Sequence, residues 1–114
     1  MRFLHWFRKV KEPRGKRYKD ASEWAAHHFP DAQRDVARRV ADILVEQVGV
    51  GLDGLTPTTR FIDDLDMTDL EPVEVVMALE VEFGFSIPDA DCEPLETIMD
   101  LVQYLYGRIH HTTA

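Results

Sequence analysis

The sequence has few cysteines and no long apolar run, and each of these absences narrows the class of protein. Cys92 is the single cysteine, so no disulfide can form within the chain, and a reducing compartment suits it. No run reaches the roughly 18 apolar residues of a membrane-spanning helix. The charged N-terminus is followed by no apolar segment of about 7–15 residues, so no secretory signal is expected. We therefore expect a cytoplasmic protein.

Basic side chains are almost missing from the C-terminal two-thirds of the chain. Residues 1–19 carry eight Lys or Arg and one acid, a net charge of +7, whereas residues 40–114 carry two basic side chains and sixteen acids, a net charge of −14. The whole chain has a net charge of −8. This asymmetry predicts a basic arm and linker over residues 1–19 and an acidic helical domain over residues 20–114.

Motifs of catalysis and metal binding are also missing. The sequence contains no paired nucleophile and base and no Gly-rich phosphate loop. Its histidines include two adjacent pairs, His27-His28 and His110-His111. Neighbours on a helix point about 100° apart, so neither pair is suited to chelate a metal. We expect neither enzymatic activity nor a metal site.

Helical periodicity and capping residues predict an all-α chain. Asp20, with Glu23 three residues later, predicts a helix that ends before Pro30. Further helices are expected over residues 31–47 and 70–83, briefly before Pro94, and from a cap at Thr97 to residue 106. The expected core is Val40, Ile43, Leu44, Phe61, Leu65, Val73, Val76, Leu79, Phe83, Ile87, Ile98, Leu101 and Leu105, with Leu70 and Met77 also on the buried side of their helix and Ile62 packed inward beside Phe61.

The run FIDDLDMTDLEPVEVVMALEVEFGFSIPD, from Phe61 to Asp89, resembles the central segment of acyl carrier proteins. The matching elements are Phe61, Asp63-Asp64-Leu65, Leu70, Val76-Met77-Ala78-Leu79-Glu80, Phe83 and Ile87-Pro88-Asp89, and also Thr97 and Tyr104 in the last helix. The resemblance extends roughly from Ala32 to Arg108. It implies an acyl-carrier-protein-like four-helix bundle, to which this chain adds an N-terminal helix and the basic arm.

The resemblance fails at the residue that carries the family's chemistry. The family attaches 4′-phosphopantetheine to a serine between Asp and Leu, and this chain has Asp69 at the aligned position. A carboxylate cannot form the stable phosphodiester, and Thr68 is displaced by one residue, about 100° around a helix. We therefore expect 4′-phosphopantetheine to be absent. Asp69 has two interpretations: a helix N-cap, or a charge that mimics the phosphate of the modified serine.

Acidic residues cluster around the start and exposed side of the helix that follows Asp69. In carrier proteins the comparable surface docks on basic patches of partner enzymes. The resemblance therefore implies a partner-binding surface, and an ordinary solvated face is the alternative. We assign to it Asp64, Asp66, Glu71, Glu74 and Glu80.

The N-terminal arm places apolar rings among cations. Phe3, Trp6 and Phe7, with Arg8 and Lys9, suit a short amphipathic helix. Three interpretations stay open: a free tail, an arm docked on its own acidic body, and weak contact with an anionic membrane. Nucleic-acid binding is not expected, because the acidic body opposes it.

Together these features predict a non-phosphopantetheinylated interaction module, most simply a monomer, that binds a basic protein surface, with enzymes of acyl metabolism as candidate partners. The alternatives are a genuine acyl or peptidyl carrier of fatty-acid or polyketide-type metabolism, and a membrane-surface adaptor that acts through the arm.

Overall fold

The computed structural model describes residues 18–67 and 70–111. Its helices are α1 (Ala21–His28), α2 (Arg34–Val48), α3 (Leu70–Phe83), α4 (Asp89–Cys92) and α5 (Ile98–His111), with 3-10 turns at Asp31–Gln33 and Leu52–Gly54. Within the described ranges there is no strand, only an isolated bridge between Arg60 and Thr97. The predicted all-α, acyl-carrier-like bundle is confirmed. The amphipathic helix predicted for the N-terminal arm falls outside the described residues.

Helix α1 begins and ends where its capping residues predict. The Asp20 carboxylate accepts a hydrogen bond from the Glu23 N–H at 3.0 Å, and the Glu23 carboxylate accepts one from the Lys19 N–H at 2.6 Å. These bonds satisfy backbone donors that have no partner inside the helix. Trp24 and Ala25 then face α2 and are completely buried. Trp24 was missing from the predicted core, although it is one of its largest members.

Helix α2 supplies the centre of the core. Its buried residues recur at helical spacing and include Val40, Ile43 and Leu44, as predicted. Charged residues occupy its other side, so the sequence leaves only one face that can be buried. Gly49 ends the helix in the left-handed conformation, with φ of +88°, which glycine adopts without the steric cost of a Cβ atom.

Helix α3 has the predicted bounds, but part of its predicted buried face is wrong. Val73 and Met77 were expected to be buried and are instead 56% and 60% exposed, whereas Val75 and Leu79 are buried. The cause lies in the composition of the helix: apolar residues occupy nearly every side of LEPVEVVMALEVEF. Because the periodicity is weak, packing against α2 decides which side is buried.

Three further expectations need correction. Ile62 does not pack inward: it is 68% exposed, because the turn that contains it buries Leu65. Phe61, Val76 and Phe83 were assigned to the core but are half-buried at its edge. Helix α5 is capped by Thr97, whose Oγ1 accepts a hydrogen bond from the Asp100 N–H at 3.1 Å. It continues beyond the expected end to residue 111.

The two long central helices are antiparallel. Arg39, in the first half of α2, donates to the carboxylate of Glu82 at 2.8 Å and to its carbonyl at 3.1 Å, and Glu82 belongs to the last turn of α3. The Arg39 guanidinium also lies 4.2 Å from the centre of the Phe83 ring. The end of α2 is therefore at the same end of the bundle as the start of α3.

Candidate functional site

The loop that leads into α3 is held by backbone hydrogen bonds. The Arg60 N–H donates to the Asp64 carboxylate at 2.7 Å. The Phe61 N–H donates to the carbonyl of Glu96 at 3.1 Å, and the Met67 N–H donates to the carbonyl of Phe61 at 3.1 Å. These bonds tie the loop both to itself and to the segment before α5, and they hold the chain in place as far as Met67.

Asp69, which the resemblance aligns with the family's modified serine, lies outside the described residues, together with Thr68 and the side chain of Glu71. The same holds for the arm residues Phe3, Trp6, Phe7, Arg8 and Lys9. The two interpretations of Asp69 and the three interpretations of the arm therefore stay predictions.

Beneath the start of α3 lies an apolar cavity of about 240 Å³. Its walls come from the loop before α3, from α3 itself, from the segment around α4 and from Leu101 of α5. Almost all of the lining is hydrocarbon, so the cavity has affinity for an apolar group rather than for a charged one. The side chains that enclose it include Phe61, Met67, Val76, Leu79, Ile87 and Leu95.

Cys92 also lines this cavity and is half-buried. Burial raises the pKa of its thiol, and the nearby carboxylates of Asp89, Asp91 and Glu80 raise it further. A thiol with a raised pKa is a poor nucleophile at neutral pH because little thiolate is present. We therefore interpret Cys92 as part of the cavity wall and not as a nucleophile.

The acidic residues predicted to bind a partner do not share one environment. Glu74 is exposed on α3. Glu80 is half-buried, and its carboxylate accepts a hydrogen bond from the Ile87 N–H at 2.8 Å, which closes the connection to α4. Asp64 stabilises the loop, and Asp66 is half-buried with a positive φ of 53°. Glu74 is thus the clearest candidate for contact with a partner, whereas Asp64 and Glu80 also hold local structure.

Sequence reasoning missed an exposed apolar stripe along α3. Val73, Met77 and Val81 are spaced four residues apart, so they lie on one face of the helix. Val81 is the most exposed of them, at 84%. The sequence did contain a signal for this stripe, because Val75 and Leu79 are also spaced four residues apart. Helix α3 packs on α2 through only one of these two apolar faces, so the other face is exposed. The site therefore combines an exposed apolar stripe with acidic neighbours and an apolar cavity below.

Other charged and aromatic groups serve packing. Tyr104 donates to the Asp91 carboxylate at 2.6 Å and accepts from Arg108 at 2.7 Å, so α4 is tied to α5. Burial and Asp91 raise the pKa of Tyr104. His27 and His28 stack edge to face with 4.7 Å between ring centres.

In the part of the chain that the structure describes, no three His, Cys, Asp or Glu residues are grouped to hold a metal.

No helix within residues 18–67 and 70–111 is both long and apolar enough to cross a bilayer.

Comparison with known proteins places this architecture in a family. Residues 38–105 match the family described as "Phosphopantetheine attachment site". A protein of Bdellovibrio bacteriovorus (strain ATCC 15356 / DSM 50701 / NCIMB 9529 / HD100) named "Acyl carrier protein" is 49% identical over 67 residues, which are 59% of this chain and 86% of that protein. Helix α1 precedes the matched residues. The chain therefore belongs to the acyl-carrier-protein-like family that the phosphopantetheine attachment site defines.

Proposed function

We propose that this chain is an acyl-carrier-like module that does not carry 4′-phosphopantetheine and that acts by binding a basic surface of a partner protein. The observation that carries the proposal is Asp69, which occupies the position of the family's modified serine between Thr68 and Leu70. The proposal includes a non-enzymatic role, a cytoplasmic location and a monomeric state.

The residues near the attachment position do not fit the prosthetic group. A serine hydroxyl forms a phosphodiester with the phosphopantetheine phosphate, whereas the Asp69 carboxylate would form a mixed anhydride, which water cleaves readily. Thr68 is shifted by one position, and Ser86 lies beyond the far end of α3, which spans 14 residues, or roughly 21 Å at 1.5 Å per residue. Neither hydroxyl substitutes for the missing serine.

Intact mass tests the cofactor part of this proposal. The unaltered full-length protein is incubated with coenzyme A and a broad-specificity phosphopantetheinyl transferase, beside an ordinary acyl carrier protein as the positive control. We expect the control to gain the mass of the arm and this chain to gain none, because no hydroxyl stands at the attachment position. A gain of that mass by the unaltered protein would show that it is a carrier.

Charge supports the partner-binding part of the proposal. Residues 40–114 have a net charge of −14, and Glu74 is exposed in the middle of α3. A concentrated negative field speeds the approach of a basic surface and disfavours acidic competitors, mostly through the association rate. The apolar stripe beside Glu74 supplies the dehydrated contact that long-range charge alone does not give.

A pair of matched charge reversals tests this surface. Enzymes of acyl metabolism are immobilised one at a time, and the association rate of the full-length protein is measured at several salt concentrations. Glu74→Lys should lower the association rate of a binding enzyme about tenfold at low salt, less as salt increases. Glu46→Lys makes the same change of charge on the exposed side of α2 and should have a much smaller effect. Equal effects of the two variants would place the contact elsewhere.

The second candidate function is a genuine acyl or peptidyl carrier. It is favoured by the cavity of about 240 Å³ beneath α3, whose apolar walls suit a hydrocarbon chain. The Bdellovibrio relative is itself named as an acyl carrier protein. We rank this candidate second because a carrier requires a covalent link, and Asp69 offers none that is stable. The mass experiment separates the two candidates.

A further inference from the structure

The exposed stripe of α3 has the properties of a surface that is covered by something. Val73, Met77 and Val81 are 56%, 60% and 84% exposed, and they line one side of the helix over two turns. The stripe continues into a shallow groove formed with Gly84 and Phe85. Burying these side chains would be favourable by roughly 25 cal/mol for each Å² removed from water.

Charge restricts which occupant suits the stripe. Glu74 is exposed, and Glu80 lines the same groove as Met77. A second copy packed on this face through the same helix would bring two acidic surfaces together, and like charges at close range oppose such a dimer. A basic amphipathic segment suits both features, because it offers apolar side chains to the stripe and cations to the carboxylates.

This chain contains such a segment in its first twelve residues. Phe3, Phe7 and Val10 have the i, i+4, i+7 spacing of one helix face, and cations fill the positions around them. Residues 1–19 have a net charge of +7. The segment therefore offers apolar side chains to the stripe and positive charge to the carboxylates beside it.

The arm leaves the domain at the correct end of the bundle. The Tyr18 hydroxyl is 3.3 Å from His28 Nε2, so Tyr18 lies against α1. The ring of His28 lies 5.2 Å from the ring of Trp24, centre to centre, and Trp24 Nε1–H donates to the carbonyl of Leu55, which follows the end of α2. Since α2 and α3 are antiparallel, Tyr18 is at the end of the bundle where α3 begins.

The linker is long enough. Six residues lie between Lys11 and Tyr18, and the seven steps from one to the other cover up to about 23–25 Å in an extended chain. Helix α3 has 14 residues and is therefore about 21 Å long. The arm can reach the whole stripe, at an effective concentration in the millimolar range.

We propose that residues 1–12 dock in cis on the Val73–Met77–Val81 stripe of α3 and compete there with a basic partner. The proposal deepens the partner-binding function proposed above and rests on it for the biological consequence, although the docking itself does not. Attraction between the arm and the carboxylates holds it at low ionic strength. A partner with more basic charge or a larger apolar surface displaces it.

Paramagnetic relaxation in the full-length chain tests this contact. Cys92→Ala removes the native thiol, and His5→Cys places a nitroxide on the side of the arm opposite Phe3 and Phe7. At low salt the amide signals of residues 73–81 should fall to about half or less of their diamagnetic intensity, because a tethered arm at millimolar effective concentration is docked much of the time. The loss should shrink in 1 M salt, where the Debye length is about 3 Å.

Matched variants make the result specific. Met77→Gln removes apolar surface from the stripe and should restore the signals of α3, whereas Met99→Gln makes the same change at a methionine of α5 that is 36% exposed and should not. The proposal is overturned if α3 keeps full intensity at low salt. It is also overturned if the signal loss grows with protein concentration, which would mean that the arm docks on a second copy, or if it maps to other helices. None of these outcomes alters the mass or association-rate results, so the two proposals fail separately.

Discussion

Replacing Trp24 with alanine is expected to lower the free energy of unfolding by about 3–5 kcal/mol, a large part of the 5–15 kcal/mol that holds a typical domain together. Trp24 is completely buried. Its indole ring lies 5.8 Å from the ring of Phe29, centre to centre, and its Nε1–H donates to the Leu55 carbonyl at 2.8 Å. Alanine would leave a cavity and also a buried carbonyl without its donor.

Two companion variants separate these causes in chemical denaturation followed by circular dichroism. Trp24→Phe keeps much of the ring but removes the hydrogen bond to Leu55, so it should cost about 1–3 kcal/mol. Trp6→Ala changes the other tryptophan of the chain, in the arm, and should cost far less because it lies outside the helical domain predicted for residues 20–114.

The Trp24 result bears on the extent of the domain. Helix α1 lies outside residues 38–105, which match the family, yet it contributes Trp24 and Ala25 to the shared core. If Trp24→Ala leaves the denaturation midpoint unchanged, α1 is an appendage and the domain begins at α2. A large loss means that the added helix and the family core fold as one unit.

The sequence predicts an element well where its chemistry allows only one arrangement. Helix α2 has its charged and its apolar residues on opposite sides. Val40, Ile43 and Leu44 therefore have only one possible inward face, and all three are buried. Asp20 and Thr97 predict the starts of α1 and α5 because a side-chain acceptor there satisfies otherwise unpaired backbone donors. These predictions depend on neighbours in the sequence and therefore need no knowledge of the fold.

The wrong predictions depend on contacts between distant segments. Val73 and Val75 have the same side chain on the same helix, and only the packing of α3 on α2 buries the second rather than the first. Trp24 lies in a short helix with weak amphipathic character, and its partner Leu55 is 31 residues away. The cavity beneath α3 has walls from four segments of the chain, so no local sequence pattern predicts it. The alignment of Asp69 with the family's modified serine rests on the resemblance alone and stays a prediction.

The largest qualitative change is expected from Asp69→Ser, which should convert a chain that cannot be loaded into one that can. The substitution places a primary hydroxyl at the position where the family has its modified serine, and Leu70 follows it as in the family. The loop up to Met67 is held by its own hydrogen bonds, and the acidic residues around α3 are retained. Incubation with coenzyme A and the transferase should therefore add the mass of the arm to the variant.

Position 68 should then set the rate of loading. The family has Asp before its serine, whereas this chain has Thr68, so Thr68→Asp combined with Asp69→Ser should load faster than Asp69→Ser alone. Asp69→Ala removes the carboxylate without adding a hydroxyl and should stay unloaded. Ser86 is an exposed serine present in every variant, so peptide mapping must find the added mass at position 69 and not there.

The outcome of the double variant decides how far this chain has diverged from a carrier. If it loads, no more than two side chains separate the module from carrier activity, and the rest of the transferase-binding surface has been kept. If it does not load although its circular dichroism is unchanged, the α3 surface itself has ceased to fit the transferase.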